Sequence, residues 1–364
     1  MRKIIFALCL LLGASYDLMA ACALSPNASF PVSEMAQQQV PFGRSIISVP
    51  PDVPVGTEIY RQTIYLSPAL LANVACDSAG QFSFFYKYRT LPLPASSVTL
   101  GSKSGIVYET GIKGIGIMFW YSATGFPLSL QGTCTNASCS GAFSFQSDFS
   151  LFKIGDVEPG VIQGSNLPVA RYSVGQSQTN AVDMLEVALS GSISITTPTC
   201  RLAEPNKVVL MGNESINSFS GKGSAAGWKD ASIQLINCPT FYGNTGNRGS
   251  AGTWTGSTVN GSSTLIYNSL TLTLMPANGI VDATKGIMAI NTTEPNSASG
   301  IGIQLVTNQS SVTPAALGTS TTTVLPTDGT AAFTFPLFAR YIQTLDNVSA
   351  GSANGMLTYT VEYK

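Results

Sequence analysis

The sequence contains no histidine. That absence excludes the triads and dyads in which imidazole is the base, and it excludes zinc sites built on histidine. Charge is also scarce: Asp, Glu, Lys and Arg make up 10% of 364 residues, against about 25% in ordinary domains. The 19 acidic residues are scattered, without the paired spacing that carboxylate catalysis needs. Net charge is −1, so there is neither a basic footprint for nucleic acid nor a polybasic membrane anchor. No Walker loop occurs. Gly111, Gly114 and Gly116 do not make a dinucleotide fingerprint; they precede an alternating apolar run, where glycine marks a bulge or a close strand approach. Helical periodicity is nearly missing, with one turn expected in Ser67–Val74, capped by Ser67 with Pro68 in the first position. The sequence implies no enzyme, no cofactor and no metal.

What is present points to export. Arg2 and Lys3 form a basic start, Ile4 to Leu12 is an apolar run, and Ala20 and Ala21 are small. This is the pattern of a Sec-type signal peptide over residues 1–21, with cleavage after Ala20 or Ala21 both allowed. It is too short to span a membrane, and no other stretch reaches the ~18 uninterrupted apolar residues a span needs. Lipidation at Cys22 would call for leucine where Met19 stands, which argues against it.

Of the seven cysteines, Cys9 leaves with the signal. The six that remain are an even set in an exported chain, which reads as disulfides. Fifteen connectivities are formally open. Chain order favours the neighbours Cys22–Cys76, Cys134–Cys139 and Cys200–Cys238. In the chain-entropy picture the first is worth about 4 kcal/mol and the small second loop about 2 kcal/mol.

A chain with few charges and many Gly, Ser, Thr and Asn residues suits β-sheet with frequent turns. Alternating or apolar runs lie at 81–88, 106–108, 115–121, 142–145, 184–195, 270–274, 302–306, 332–337 and 356–363. Short strands separated by such turns predict an all-β fold of two sandwich domains. The first, 22–185, holds four cysteines and most of the Tyr and Phe; the second, 186–364, holds one cysteine pair. The run 184–195 suits either one strand opening the second domain or a last strand of the first plus a linker. Tyr242–Ser263 is poor in apolar residues and predicts a long surface loop.

The C-terminal run GSANGMLTYTVEYK alternates Leu357, Tyr359, Val361 and Tyr363 with polar residues, a terminal strand with one apolar face. Gly191–Cys200 (GSISITTPTC), Gly221–Pro239 (GKGSAAGWKDASIQLINCP), Gly300–Leu305 (GIGIQL), Phe338–Thr344 (FARYIQT) and this last strand stand in the order of a known family. Together they resemble the pilin domain of chaperone–usher fimbrial subunits. The resemblance implies an incomplete immunoglobulin-like sandwich whose open groove takes a strand from a periplasmic chaperone and then from the next fimbrial subunit. It makes Gly351, Leu357, Tyr359, Val361 and Tyr363 groove residues. It makes the Lys364 carboxylate the chaperone's anchor, and it adds an outer-membrane usher as partner. With a further domain in front and no donor segment before Cys22, the architecture resembles the two-domain tip adhesins, the type 1 fimbrial adhesin among them. The expected location is the fimbrial tip, reached through the periplasm.

Nothing in residues 22–185 identifies a ligand, and no nucleic-acid partner is implied. A lectin site would draw on Trp120, Tyr121 and Tyr108 for sugar faces and on Asp52, Arg61 and Asn73 for hydroxyls. A protein receptor is the alternative, and a structural adaptor without receptor the third.

Overall fold

A computed structural model describes residues 22–71, 73–76, 80–134, 139–141, 145–247, 249–261 and 263–364. The expected signal peptide lies outside the described residues, as do the side chains behind the expected Cys134–Cys139 bridge and most of the expected strand 142–145. The described residues form β-strands and four short 3-10 turns, with no α-helix among them. One of those turns is Pro68–Leu70, where a single turn was expected; Leu70 N–H closes it on the Ser67 carbonyl at 3.0 Å.

Two hydrophobic cores organise the chain. The first lies between two sheets. One carries Leu128–Cys134, Gly80–Thr90, Val169–Gly175, Val182–Ser190 and Ala36–Pro41 in that spatial order. The other is centred on Glu58–Leu66, Phe145–Lys153 and Ile115–Tyr121. Alternation along Gly80–Thr90 sends Phe84, Tyr86 and Tyr88 inward. They meet Phe119, Phe126, Phe145 and Tyr172 edge-on or tilted, at centroid distances of 5.2–6.2 Å. Aromatic pairs in such geometry add about 0.5–1.5 kcal/mol beyond burial. Their hydroxyls are not stranded: Tyr172 exchanges a 2.6 Å hydrogen bond with Ser147 across the sheets, and Phe119 N–H donates to the Tyr88 hydroxyl at 3.1 Å. Burial pushes both phenols well above their ordinary pKa. Gly116 has the close approach expected of it: a Cβ there would lie 2.4 Å from a Val107 methyl. Cys22–Cys76 is bridged, tying the first strand to Val74–Cys76.

Packing carries the first core past residue 185. Met184, Leu185, Val187 and Leu189 on Val182–Ser190, and Ile193 and Ile195 on Ser192–Thr196, are all buried in the first core. Gly191, at φ +70°, separates the two strands. Ser192–Thr196 then pairs with Gly160–Gln163 and Ile46–Ser48.

The second core is enclosed by three sheets. Arg201–Leu202, Ile233–Ile236 and Ala332–Phe335 form one, and Phe338–Gln343 with Ile301–Asn308 centres another. Ser320–Val324, Ser269–Pro276 and Leu357–Tyr363 form the third, with the final strand at its edge. Cys200–Cys238 is bridged.

The expected surface loop at Tyr242–Ser263 is instead a clasp on the first body. Thr253 and Trp254 add a parallel strand beside Thr63 and Ile64, and Ala251 N–H donates to the Arg61 carbonyl at 2.8 Å. Ala251 and Trp254 are buried in the first core, and the Trp254 indole donates to Gln38 at 3.3 Å. The polar composition that suggested solvent exposure serves close backbone contact. At Gly246 a Cβ would stand 1.9 Å from the Glu58 carbonyl oxygen, so only glycine fits. Ser48 and Asn268 complete the junction: Ser48 N–H donates to the Gly243 carbonyl at 2.8 Å, and Gly243 N–H donates to the Asn268 side chain at 2.9 Å.

Candidate functional site

The second body has a groove along its final strand. The main chains of Ser269 and Lys364 exchange two hydrogen bonds, at 2.6 and 2.8 Å. Antiparallel ladders alternate, so Glu362, Thr360 and Thr358 bond to the same neighbour. The main-chain groups of Leu357, Tyr359, Val361 and Tyr363 therefore point to the open edge. Their side chains turn toward the core, as the alternation predicted. The facing wall is the extended segment 207–211, which belongs to no sheet. Val209 and Met211 pack inward, while Val208 and Leu210 are 79% and 82% exposed.

Between these walls lies a cavity of about 790 Å³, floored by Ile233, Ile303, Leu305 and Leu337. The Tyr359 hydroxyl spans the groove to the Glu204 carbonyl at 2.8 Å, and the Tyr363 hydroxyl reaches the Cys200 carbonyl at 3.5 Å. An apolar trough beside an unpaired edge is costly for an isolated domain and suits an added strand.

Of the expected groove residues, Leu357 and Tyr359 line the cavity and Val361 and Tyr363 continue the same face. Gly351 does not: it packs against the backbone of 296–298, with a Cβ there 2.3 Å from the Asn296 carbonyl oxygen. Gly355 does line the cavity, and a Cβ there would come within 2.6 Å of Ile303. The Lys364 side chain pairs with Glu362 at 2.9 Å. The wall at 207–211 was missed because it makes no ladder. Its only sign is the apolar run Val208–Met211 following Lys207.

The six expected receptor residues do not converge. Trp120 is buried on the outer face of its sheet, its indole donating to Ser150 at 2.9 Å. The Lys103 ammonium and the Arg61 guanidinium lie 4.5 and 4.8 Å from its ring centroid, so protein cations already occupy its π-system. Arg61 forks onto Asp148 at 3.1 and 3.4 Å, and Lys103 pairs with buried Glu58 at 3.0 Å. Glu58 also accepts from Asn247 N–H of the clasp at 2.9 Å. Tyr121 stacks on Tyr86 at 5.7 Å, and buried Tyr108 meets Tyr88 at 5.3 Å. Asn73 is buried, its amide donating to the Ser25 carbonyl at 2.8 Å. Asp52 stands at the junction of the two bodies, accepting from Tyr363 N–H at 2.8 Å. Tyr65, two positions along the same strand face from Thr63, is 43% exposed, with exposed Gln146 opposite it.

Residues 187–364 match the model of the fimbrial protein family. A fimbria adhesin protein of Klebsiella pneumoniae is 25% identical over 95% of this chain and 97% of its own length. Among solved structures, the CupB6 tip adhesin from Pseudomonas aeruginosa is similar over 94% of each chain, at 12% identity and TM-score 0.35. The receptor-binding domain of the adhesin MrkD1P of Klebsiella pneumoniae covers 50% of this chain and 98% of its own, at 21% identity and TM-score 0.34. Residues 187–364 thus match the fimbrial protein family, and over nearly its whole length the chain is similar to a fimbria adhesin.

Proposed function

We propose that this chain works at the fimbrial tip, with the second body accepting one β-strand from another chain and the first body carrying the receptor contact. The observation that carries the first half is the open edge of Leu357–Tyr363 above an apolar cavity of about 790 Å³. A strand with alternating apolar side chains would place those side chains in the cavity and its backbone on the edge. Its source is a periplasmic chaperone first and the next subunit afterwards, handed over at an outer-membrane usher, with the Lys364 carboxylate as the chaperone's anchor. The signal-peptide pattern of residues 1–21 accounts for Sec export to that compartment. Introducing a charge in the floor, as in Ile303→Arg, is expected to abolish co-purification with the chaperone. Undiminished co-purification would refute the groove assignment.

For the receptor, the supporting feature is the exposed end of a first-body sheet, where Tyr65 on Glu58–Leu66 stands opposite Gln146 on Phe145–Lys153. Tyr65 supplies an exposed ring, and exposed Gln146 supplies an amide that can both donate and accept. A ring with flanking donors and acceptors suits a carbohydrate. A glycan array probed with the whole mature chain tests this. Tyr65→Ala should remove binding while leaving secretion intact. Binding confined to protease-sensitive targets would assign a protein receptor instead.

A further inference from the structure

Asp52 lies on a turn of the first body, yet its carboxylate is bonded to an open-edge group of the second. Its Oδ2 accepts from Tyr363 N–H at 2.8 Å. Both sides of this contact are fixed. The turn is closed by Val53 N–H on the Pro50 carbonyl at 3.3 Å, and buried Lys153 donates its ammonium to the Pro51 carbonyl. Tyr363 is buried and stacked on Phe241, with centroids 6.0 Å apart and rings 10° from parallel. A carboxylate on a backbone N–H makes a charge-assisted bond, stronger than the neutral ladder bond it replaces.

The Tyr363 N–H is one of the groups that an added strand would use. The Asp52 side chain occupies its place in the plane of the sheet. Among the described residues no such cap is seen at Leu357, Tyr359 or Val361, and the first two line the cavity. We propose that Asp52 is the stop for the incoming strand: pairing extends along Leu357–Val361 and ends before Tyr363, so the first body sets the register of the second body's partner. This rests on the groove reading above. The partner it describes is a single extended strand of another chain. Past Val361, that chain must turn away from the sheet edge and from the Asp52 carboxylate.

The test measures dissociation constants on the whole mature chain. The probes are a synthetic peptide of alternating valine and threonine matched to Leu357–Val361, and the same peptide extended by two residues at one end or the other. The native chain should bind the short and extended forms equally. Asp52→Ala should bind one extended form roughly threefold to tenfold more tightly than the short one, the gain of a ladder bond. Asp52→Asn keeps an accepting oxygen and should behave as the native chain does. An extended peptide already favoured by the native chain, or no length preference in Asp52→Ala, overturns the stop. If neither peptide binds any of the three proteins, the groove reading itself fails, and the stop with it.

Discussion

Trp254 belongs by sequence to the second half and by packing to the first, so its truncation separates two views of the molecule. The side chain is 8% exposed in the first core, and its strand extends the edge beside Thr63 and Ile64. Replacing a core tryptophan with alanine costs about 3–5 kcal/mol through lost transfer energy and the cavity left behind. The indole's bond to Gln38 is lost too, but Gln38 is half-buried and water takes over the acceptor at little cost. Domains are stable by about 5–15 kcal/mol, so this loss would dominate opening of the first body. Hydrogen exchange read segment by segment is the assay. In Trp254→Ala, amides of Glu58–Leu66 and Phe145–Lys153 should exchange about two to four orders of magnitude faster. Those of Ile301–Asn308 in the second core should stay near the native rate. Unchanged protection of Glu58–Leu66 would refute the clasp. So would a fragment of residues 22–196 that shows the full chain's protection, because it lacks Ala251 and Trp254 altogether.

Further outcomes follow from the packing. Replacing both Cys22 and Cys76 by serine should lower stability by about 2–5 kcal/mol, seen as a lower melting temperature of the first body with strand acceptance unaltered. Tyr172→Phe strands the Ser147 hydroxyl in the core and should cost about 1–3 kcal/mol, measured by urea unfolding. The charge ladder of Lys87, Arg89, Arg171, Asp183 and Glu186 predicts an acid limit. Burial raises the Asp183 and Glu186 pKa values, but hydrogen bonds from Ser173 and Lys87 to the first and from Arg171 and Arg89 to the second, with their charges, outweigh it. Both end below the usual carboxylate range. A depressed pKa gives stability that is present above the unfolded value, near 4, and lost as pH falls through the folded value. Urea midpoints should therefore hold above about pH 5 and fall below about pH 4. Glu186→Gln should flatten that fall, and an unchanged slope would remove the ladder from the account.

How far the sequence could be read depended on whether each segment's partners lay close in the chain's own logic. The final strand was legible because one face meets the core and the other meets water, so Leu357 to Tyr363 alternates. Phe145–Lys153 was not legible: nearly every residue is buried, because Leu100 and Val107 cover its outer face beside Phe152 and Trp120. With both faces covered, the period-two signal vanishes. Trp120 was a reasonable candidate for the same reason it failed. An aromatic beside Arg61 and a carboxylate has the composition of a sugar site, but Lys103, far off in sequence, closes over the ring.

The clasp shows the same effect between bodies. Its glycines, asparagines and threonines have too little apolar surface to predict burial. Their burial comes from backbone contact at Gly246 and from two apolar residues, Ala251 and Trp254, that find the first core. Local pattern reports what a segment does with solvent. It cannot report an edge such as Glu58–Leu66, supplied by a strand some two hundred residues away, or a carboxylate such as Asp52 bonded to the penultimate residue of the chain. The boundary illustrates the consequence: the family match begins at 187, while the first core holds its strands to Thr196. Strand Val182–Ser190 thus lies across the start of the family match yet is structurally part of the first body. With the clasp returning at Thr245 and Asp52 reaching to Tyr363, neither body's surface is complete without the other.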